Sequence, residues 1–390
     1  MKDHTTMIYL DHNATTCLHP EVFRVMEPYL KDLFGNASSS YRLGRDAKIA
    51  LENSRKEVAE CIGAQPHEII FTSGGTESDN FAIRGIARGL RTKGNHIITS
   101  CIEHHAVLRT CQDLEKEGFR VTYLPVNEHG QVDPDDVRRY IGRETILISI
   151  MFANNETGVI QPIPEIGAIA KKEEIVFHTD AVQAMGKIPV HADTLGVDLL
   201  SISGHKFHGP KGVGALYVRK GTPLVSIVTG GHHEHNLRAG TENIPGVVGF
   251  AAALSIAIRN LHTVSQRISK LRQRFESNVL NKISGVQING VNAPRVPNTS
   301  SMSFHFIEGE SILLHLDLKG IYASSGSACS TDLPEPSHVL MAMGVPARIA
   351  QGTIRFSLGK DNTDDEIDFV IESLIEITAK LRAISSVKET

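Results

Sequence analysis

Three short stretches set reactive side chains where an apolar run ends. In IVFHTDAVQAMGK the run delivers Asp180, with Gln183 close behind it. In LLSISGHKFHGPKGVGALYV, Ser203, His205 and Lys206 stand between two apolar runs and are flanked by glycines. In FTSGGTESDN the run passes into Ser73, Gly74, Gly75 and Thr76 before a helical pattern begins near Ser78. Each stretch has a chemical reading and a plainer one. An acid at a buried strand end needs a cationic partner or strong hydrogen bonds, and it also serves as a helix cap. A lysine desolvated in a pocket has a lowered pKa and forms Schiff bases, whereas most lysines are solvated surface charges. Glycines at a helix N-terminus, with the Thr76 hydroxyl, make a cup for a phosphate, yet a capped strand-to-helix turn looks the same. No Gly-Lys-Ser/Thr follows, so the cup is not a Walker A loop.

The three stretches are complementary. A phosphate cup, an acid for a pyridinium nitrogen and a Schiff-base lysine together fit pyridoxal 5'-phosphate. Asp180 and Lys206 are near enough in the chain to converge from adjacent strand ends. The cofactor ring also needs a face, and EHHAV, at the end of the run HIITS, offers the imidazoles of His104 and His105.

These side chains require a scaffold that brings strand ends together. Between about residues 65 and 220, EIIFTS, HIITS, RVTYLPV, ILISIMFAN, IVFHTDA, LLSIS and GALYV read as strands. SDNFAIRGIARGL, HHAVLRTCQDLEKEG and IPEIGAIAKKEE read as helices between several of them. Unbroken apolar strands alternating with helices imply an α/β fold: a mostly parallel, seven-stranded sheet covered on both faces, with its ligand site at the carboxyl ends of the strands. After Pro245 a long helical segment runs to about residue 283, followed by a smaller α+β unit containing TSSMSFHF, ESILLHLDLKG, TIRFSLG and a terminal amphipathic helix. We expect a large domain over 16–255 and a small one over 256–390 that also takes in residues 1–15.

The chain has 390 residues, a formal net charge of -4 and no block of Lys and Arg, which argues against direct nucleic-acid binding. Its start lacks the apolar core of a signal peptide, and VVGFAAALSIAI, the longest apolar stretch, is too short to span a bilayer. Five cysteines at scattered spacings, with no C-x-x-C, fit neither a disulfide framework nor a zinc site and suit a reducing cytoplasm. Cys61 and Cys111 fall in helical patterns and read as core. Cys329 differs: it lies in YASSGSACSTDLPEPS, among small residues and ahead of Pro334 and Pro336.

From end to end the chain resembles the cysteine desulfurases of the NifS/IscS type, within the fold-type I pyridoxal-phosphate enzymes. The likeness is carried by YLDHNATT, FGN, FTSGGTES, NNETG, HTDAVQ, SGHKFHGPKG, RAGTENIPG, EGES, SSGSAC and IRFSLG. SSGSAC and its short loop resemble the first of the two desulfurase groups. The resemblance implies an aminotransferase-like large domain and a small domain that carries the cysteine loop. It implies that Lys206 holds the cofactor, Asp180 pairs with its ring nitrogen, Gln183 bonds its phenolic oxygen and His104 stacks on its ring. Thr76, Ser203, His205 and the Gly75 backbone would bind its phosphate, with Thr241 reaching across a homodimer to the neighbour's phosphate. Asn155 and Arg355 would hold the substrate carboxylate.

The activity so implied is a sulfurtransferase: sulfur leaves L-cysteine, L-alanine remains, and a persulfide forms on Cys329. His104 and Lys206 would move protons. An acceptor protein, such as an iron–sulfur scaffold or a sulfur relay protein, would then take the sulfur. A selenocysteine lyase, an aminotransferase of the same fold and a silent scaffold are the competing readings. An aminotransferase has no need of Cys329, and a silent scaffold predicts degraded cofactor residues. The chain departs from the family at Cys17 and Ala37, where proline is usual, at Tyr41, near a frequent histidine, and at His232, in place of a glycine. His232, His233 and His235 read as a solvated loop rather than a metal site.

Overall fold

The computed structural model describes residues 7–325 and 336–384. Cys329 therefore lies outside the described residues. Seven strands form the main sheet: β2 (Ile69–Thr72), β3 (His96–Ser100), β4 (Arg120–Leu124), β5 (Thr145–Ser149), β6 (Val176–Asp180), β7 (Leu199–Ser203) and β8 (Gly214–Val218). They lie in the order β2-β8-β7-β6-β5-β3-β4, and β8 alone runs against its neighbours. Every residue of β2, β3, β5, β7 and β8 is buried, as strands covered on both faces require. Each of the seven strands expected from the sequence is present. Because six of them point one way, Thr72, Ser100, Ser149, Asp180 and Ser203 end along one edge.

Helices α1 (Pro20–Lys31), α2 (Arg42–Ile62), α3 (Gly75–Gly89) and α4 (His105–Lys116) precede a 39-residue helix, α5 (Ile244–Lys282). One face of the sheet packs Phe71, Ile148, Phe177 and Ile202 with Val58 and Ile62 of α2 and Phe250 and Leu254 of α5. The other face packs Ile97, Leu147, Leu199 and Leu216 against Ile83 and Ile86 of α3 and Val107 of α4. The far half of α5 enters a second core, where Phe275 and Val279 meet Phe304, Phe356, Ile371 and Leu374. This second core has its own sheet, β9 (Val286–Ile288), β10 (Thr299–Phe304) and β12 (Thr353–Ser357), all antiparallel. Ile8 and Leu10 also pack there, and β1 (Ile8–Tyr9) pairs in parallel with β11 (Ile321–Tyr322). The VVGFAAALSIAI stretch is part of α5, a helix long and apolar enough to cross a membrane. Here its Val247, Phe250 and Leu254 are core residues.

One loop is held by a buried ion pair. Glu234, His235 and Asn236 all have positive φ (44°, 57° and 66°), a conformation that non-glycine residues keep only when their surroundings impose it. Arg55 of α2 grips the Glu234 carboxylate at 2.7 Å through both Nη1 and Nη2, and the Phe71 N–H donates to it at 2.8 Å. This loop leads to Arg238 and Thr241.

Candidate active site

The phosphate cup forms where β2 meets α3. Gly74 is the N-cap at φ 152°, and the helix starts at Gly75, three residues before the position expected from Ser78. Space is tight around the cup: a Cβ on Gly75 would sit 2.8 Å from the Val182 side chain, and one on Gly214 would sit 2.7 Å from Gly74 Cα. The first helical bond runs from Ser78 N to Gly74 O at 3.1 Å, so the N–H groups of Gly75, Thr76 and Glu77 have no helical acceptor. Gly75, Thr76, Ser203 and His205 line one cleft, together with Thr15 and Lys211. Glu77 also borders it. Burial alone would raise its carboxyl, but hydrogen bonds from Arg238 (Nε at 2.8 Å) and from Ser73 hold it below the usual range. Thr241 is exposed and is not among the residues lining this cleft.

Lys206 ends a 3₁₀ turn that follows β7, and its Nζ donates to the carbonyls of Asn13 at 2.6 Å and Ala14 at 2.8 Å. Its charge is felt by His205, His104, Asp180 and Lys187. Burial pushes His205 down to about 4, with Lys206 and Lys211 adding to the effect, so the ring is neutral and its Nδ1 lies 3.1 Å from Thr15 Oγ1. Burial, then Lys206, His105 and His338, takes His104 to about 4 as well. His104 is the N-cap of α4, and its Nδ1 accepts from Ala106 N at 3.1 Å, which leaves the ring proton on Nε2. Asp180 is pushed up to about 6 by burial, against the Val182 N–H at 2.8 Å and the charge of Lys206.

Beneath Asp180 lies a buried polar layer. Asp79 of α3 is buried, with its carboxyl raised well above the usual range by burial and by Asp180, and its Oδ1 has no hydrogen-bond partner among the described residues. The His178 ring, 3.6 Å from that oxygen, lies between Ser149 and Ser201. Glu103, next to His104, is pushed up to about 8 by burial. Three buried carboxyls and a neutral imidazole thus share the edge of the sheet.

These features fit pyridoxal phosphate. The helix N-terminus suits a dianion, and a ring nitrogen cation beside Asp180 would repay the cost of ionising a carboxyl that burial now keeps costly to charge. On the second-core side, Arg355 of β12 donates to Asp11 Oδ1 at 2.7 Å and to the Asn155 carbonyl at 3.1 Å, while its buried Nε has no partner among the described residues. Asn154 spends its amide on Ile102 O and on the N–H groups of Glu156 and Thr157, so the turn is built by Asn154 and not by Asn155. The Gln183 Nε2 donates to Asn13 O at 3.0 Å.

Asn13 is the residue whose importance sequence reading missed. Its Nδ2 donates to Thr299 Oγ1 and Asn155 O, its Oδ1 accepts from Lys187 and Asn298, and its carbonyl takes both Gln183 and Lys206. The available signal was its place in YLDHNATT, just after β1. At the departures, Cys17 is exposed, its Sγ 3.7 Å from His208 Nδ1, and Tyr41 is the exposed N-cap of α2. His232 Nδ1 lies 2.7 Å from Asn236 Oδ1, and His233 accepts from Gly240 N. Among the described residues, no group of three His, Cys, Asp or Glu is arranged to hold a metal ion.

The family model for class-V aminotransferases matches residues 8–370. A protein of Dictyoglomus turgidum named cysteine desulfurase IscS is 54% identical over 382 residues, covering 98% of this chain and 97% of its own. One of the same name from Methanosarcina thermophila is 53% identical over 97% of this chain and 93% of its own. A solved structure titled NIFS-like protein superposes with a TM-score of 0.90 at 41% identity, covering 96% of this chain and 100% of its own.

Proposed function

The chain belongs to the aminotransferase class-V family, and from that premise we infer that it is a pyridoxal-phosphate-dependent cysteine desulfurase. The observation that carries this function is the near-full-length identity to desulfurases, and it concerns a chain whose Lys206, Asp180 and glycine cup share one sheet edge. When bound, the cofactor supplies an electron sink that lets an attached amino acid lose its Cα proton and weakens its Cβ–S bond. In our reading Lys206 would hold the cofactor and would carry the substrate's Cα proton. Asp180 keeps a proton on the ring nitrogen, Gln183 donates to the phenolic oxygen and His104 covers the ring. Gly75, Thr76, Ser203 and His205 seat the phosphate. Asn155 and Arg355 orient the substrate carboxylate.

Cys329 is the proposed sulfur acceptor. Its thiolate attacks the substrate sulfur, so the S–S bond forms as the Cβ–S bond breaks and the electron pair stays with carbon. The balance is Cys329 thiol plus L-cysteine giving Cys329 persulfide plus L-alanine. A thiol of an acceptor protein then takes the outer sulfur by exchange, and the acceptor is an iron–sulfur scaffold or a sulfur relay protein. His104, with its proton on Nε2, acts as a donor first. It could accept a proton only at Nδ1, by giving up its helix cap.

We further propose a homodimer. Phe23, Leu30, Phe34, Tyr41 and Ile49, along α1, α2 and the turn between them, are exposed apolar side chains of the kind an interface covers. The exposure of Thr241 agrees with a role toward a neighbour's phosphate. The four described cysteines are free thiols, in keeping with a reducing cytoplasm. We also propose a large domain over 16–255 and a small one over 256–390 with residues 1–15; the packing of Ile8 and Leu10 with Phe275 and Phe356 supports this, although Val296 packs in the first core. The function is tested by measuring alanine and sulfide from L-cysteine with a reductant, beside Cys329→Ala. Wild-type product with almost none from the variant supports the persulfide route, and full desulfuration by the variant refutes it.

A further inference from the structure

Lys187 belongs to the loop after β6, and its amine has no carboxylate partner among the described residues. Its Nζ donates to Asn13 Oδ1 at 2.8 Å and to Gln183 Oε1 at 2.5 Å. It also borders a cavity of about 290 Å³, walled by Ala253, Ile256 and Ala257 of α5 and by Leu358, with no acidic side chain in its lining. A half-buried amine held by amide oxygens is costly to charge, so it calls for a reason.

The contacts supply one. By taking the oxygen ends of two amides, Lys187 fixes which way both of them face. Gln183 is left with its N–H end for the site, and that end already meets the Asn13 carbonyl that Lys206 Nζ shares. We propose that Lys187 is a positioning residue that turns the Gln183 N–H toward the cofactor oxygen and, through its charge, weakens the hold of the Lys206 nitrogen on a proton. The inference rests on the site reading above.

The charges around Lys187 agree. Burial, then Lys206, then Arg355 drive its amine well below the ordinary lysine value. Coupling between charges is mutual, so Lys187 acts on Lys206 in the same sense. Asp180, which feels the charge of Lys206, opposes this effect, while the nearby histidines add no negative charge. His12 is pushed down to about 4, chiefly by burial with His208 and Lys187 adding, and is neutral. Burial also lowers His208, which lines the same cavity, and Asp11 is already paired with Arg355.

The test is a pH titration of the near-visible band of cofactor-loaded protein, roughly 390–430 nm, in wild type, Lys187→Met, Lys187→Gln and Lys187→Arg. Met and Gln remove the charge and should raise the titration midpoint by about one pH unit or more. Gln keeps a neutral donor and Arg keeps both donor and charge, so Arg should return the midpoint toward wild type. Wild-type midpoints in Met and Gln overturn the inference, and the Gln variant alone decides it if Met does not fold. Failure of the site reading looks different: wild type would then carry no titrating band, or Lys206→Ala would keep it.

Discussion

The two ends of the candidate site solve opposite electrostatic problems. At the phosphate end the chain offers backbone N–H groups, hydroxyls and glycines in an open cleft, and the acid there, Glu77, is already neutralised by Arg238. Little has to be desolvated to receive an anion. At the ring end Asp180, Asp79 and Glu103 are buried together, and burial raises all three carboxyls. That end is costly until a cation arrives beside Asp180. In the proposed site, one end would receive the phosphate and the other would have its charge completed by the ring.

The contrast can be broken most severely at its hinge. Lys206→Ala should cut turnover by roughly 10⁴-fold and abolish the near-visible band, read by alanine release and absorbance. Next comes Asp180→Asn, expected to lower turnover by about 10² to 10³-fold while helping the cofactor-free chain. The sign follows from the shift. Burial pushes Asp180 up to about 6 from 3.8, so the cost of ionising it is absent below about pH 4, builds as pH rises and is full above about pH 6. The variant should gain on the order of 3 kcal/mol at pH 8 and almost nothing at pH 4, measured by denaturant unfolding of the cofactor-free protein. No change at pH 8 would mean that the ring end is not strained in this way.

The phosphate end should respond more gently. Ser203→Ala removes one donor to a charged ligand, so cofactor affinity should fall about 10- to 100-fold with no gain in cofactor-free stability. Arg238→Met leaves the Glu77 carboxylate without its guanidinium beside the cup. Affinity should fall several-fold at low salt and less at high salt, because the repulsion is screened. A variant here that stabilised the cofactor-free chain would erase the distinction between the two ends.

Much of this was legible in the sequence because parallel-sheet strands are unbroken apolar runs and their ends are marked by glycine, serine and acid. All seven strands, Asp180, Lys206 and the cup could be located from that pattern. The start of α3 was placed late because Gly74 caps through backbone geometry and leaves no side-chain mark. Asn13 was missed because its role is made by contacts to residues 142 to 286 positions away. Lys187 was missed because a lysine two residues before Pro189 looks solvated, and only packing shows otherwise. Asp79 lay inside the quoted TESDN, but nothing local says that a helix carries it under the sheet edge toward Asp180.

The strap of residues 8–16 has a consequence for biosynthesis. Leu10 N bonds to Tyr322 O, His12 N to Ser357 O and Thr16 N to His205 O, so this early segment waits for partners made much later. The carbonyls of Asn13 and Ala14 that receive Lys206 belong to it. A ribosome-bound chain that has finished the seven-stranded sheet still lacks the strands that pin the strap. The lysine pocket is therefore assembled after residue 357 has emerged, and a chain truncated before that point should fold its sheet yet fail to gain colour with the cofactor.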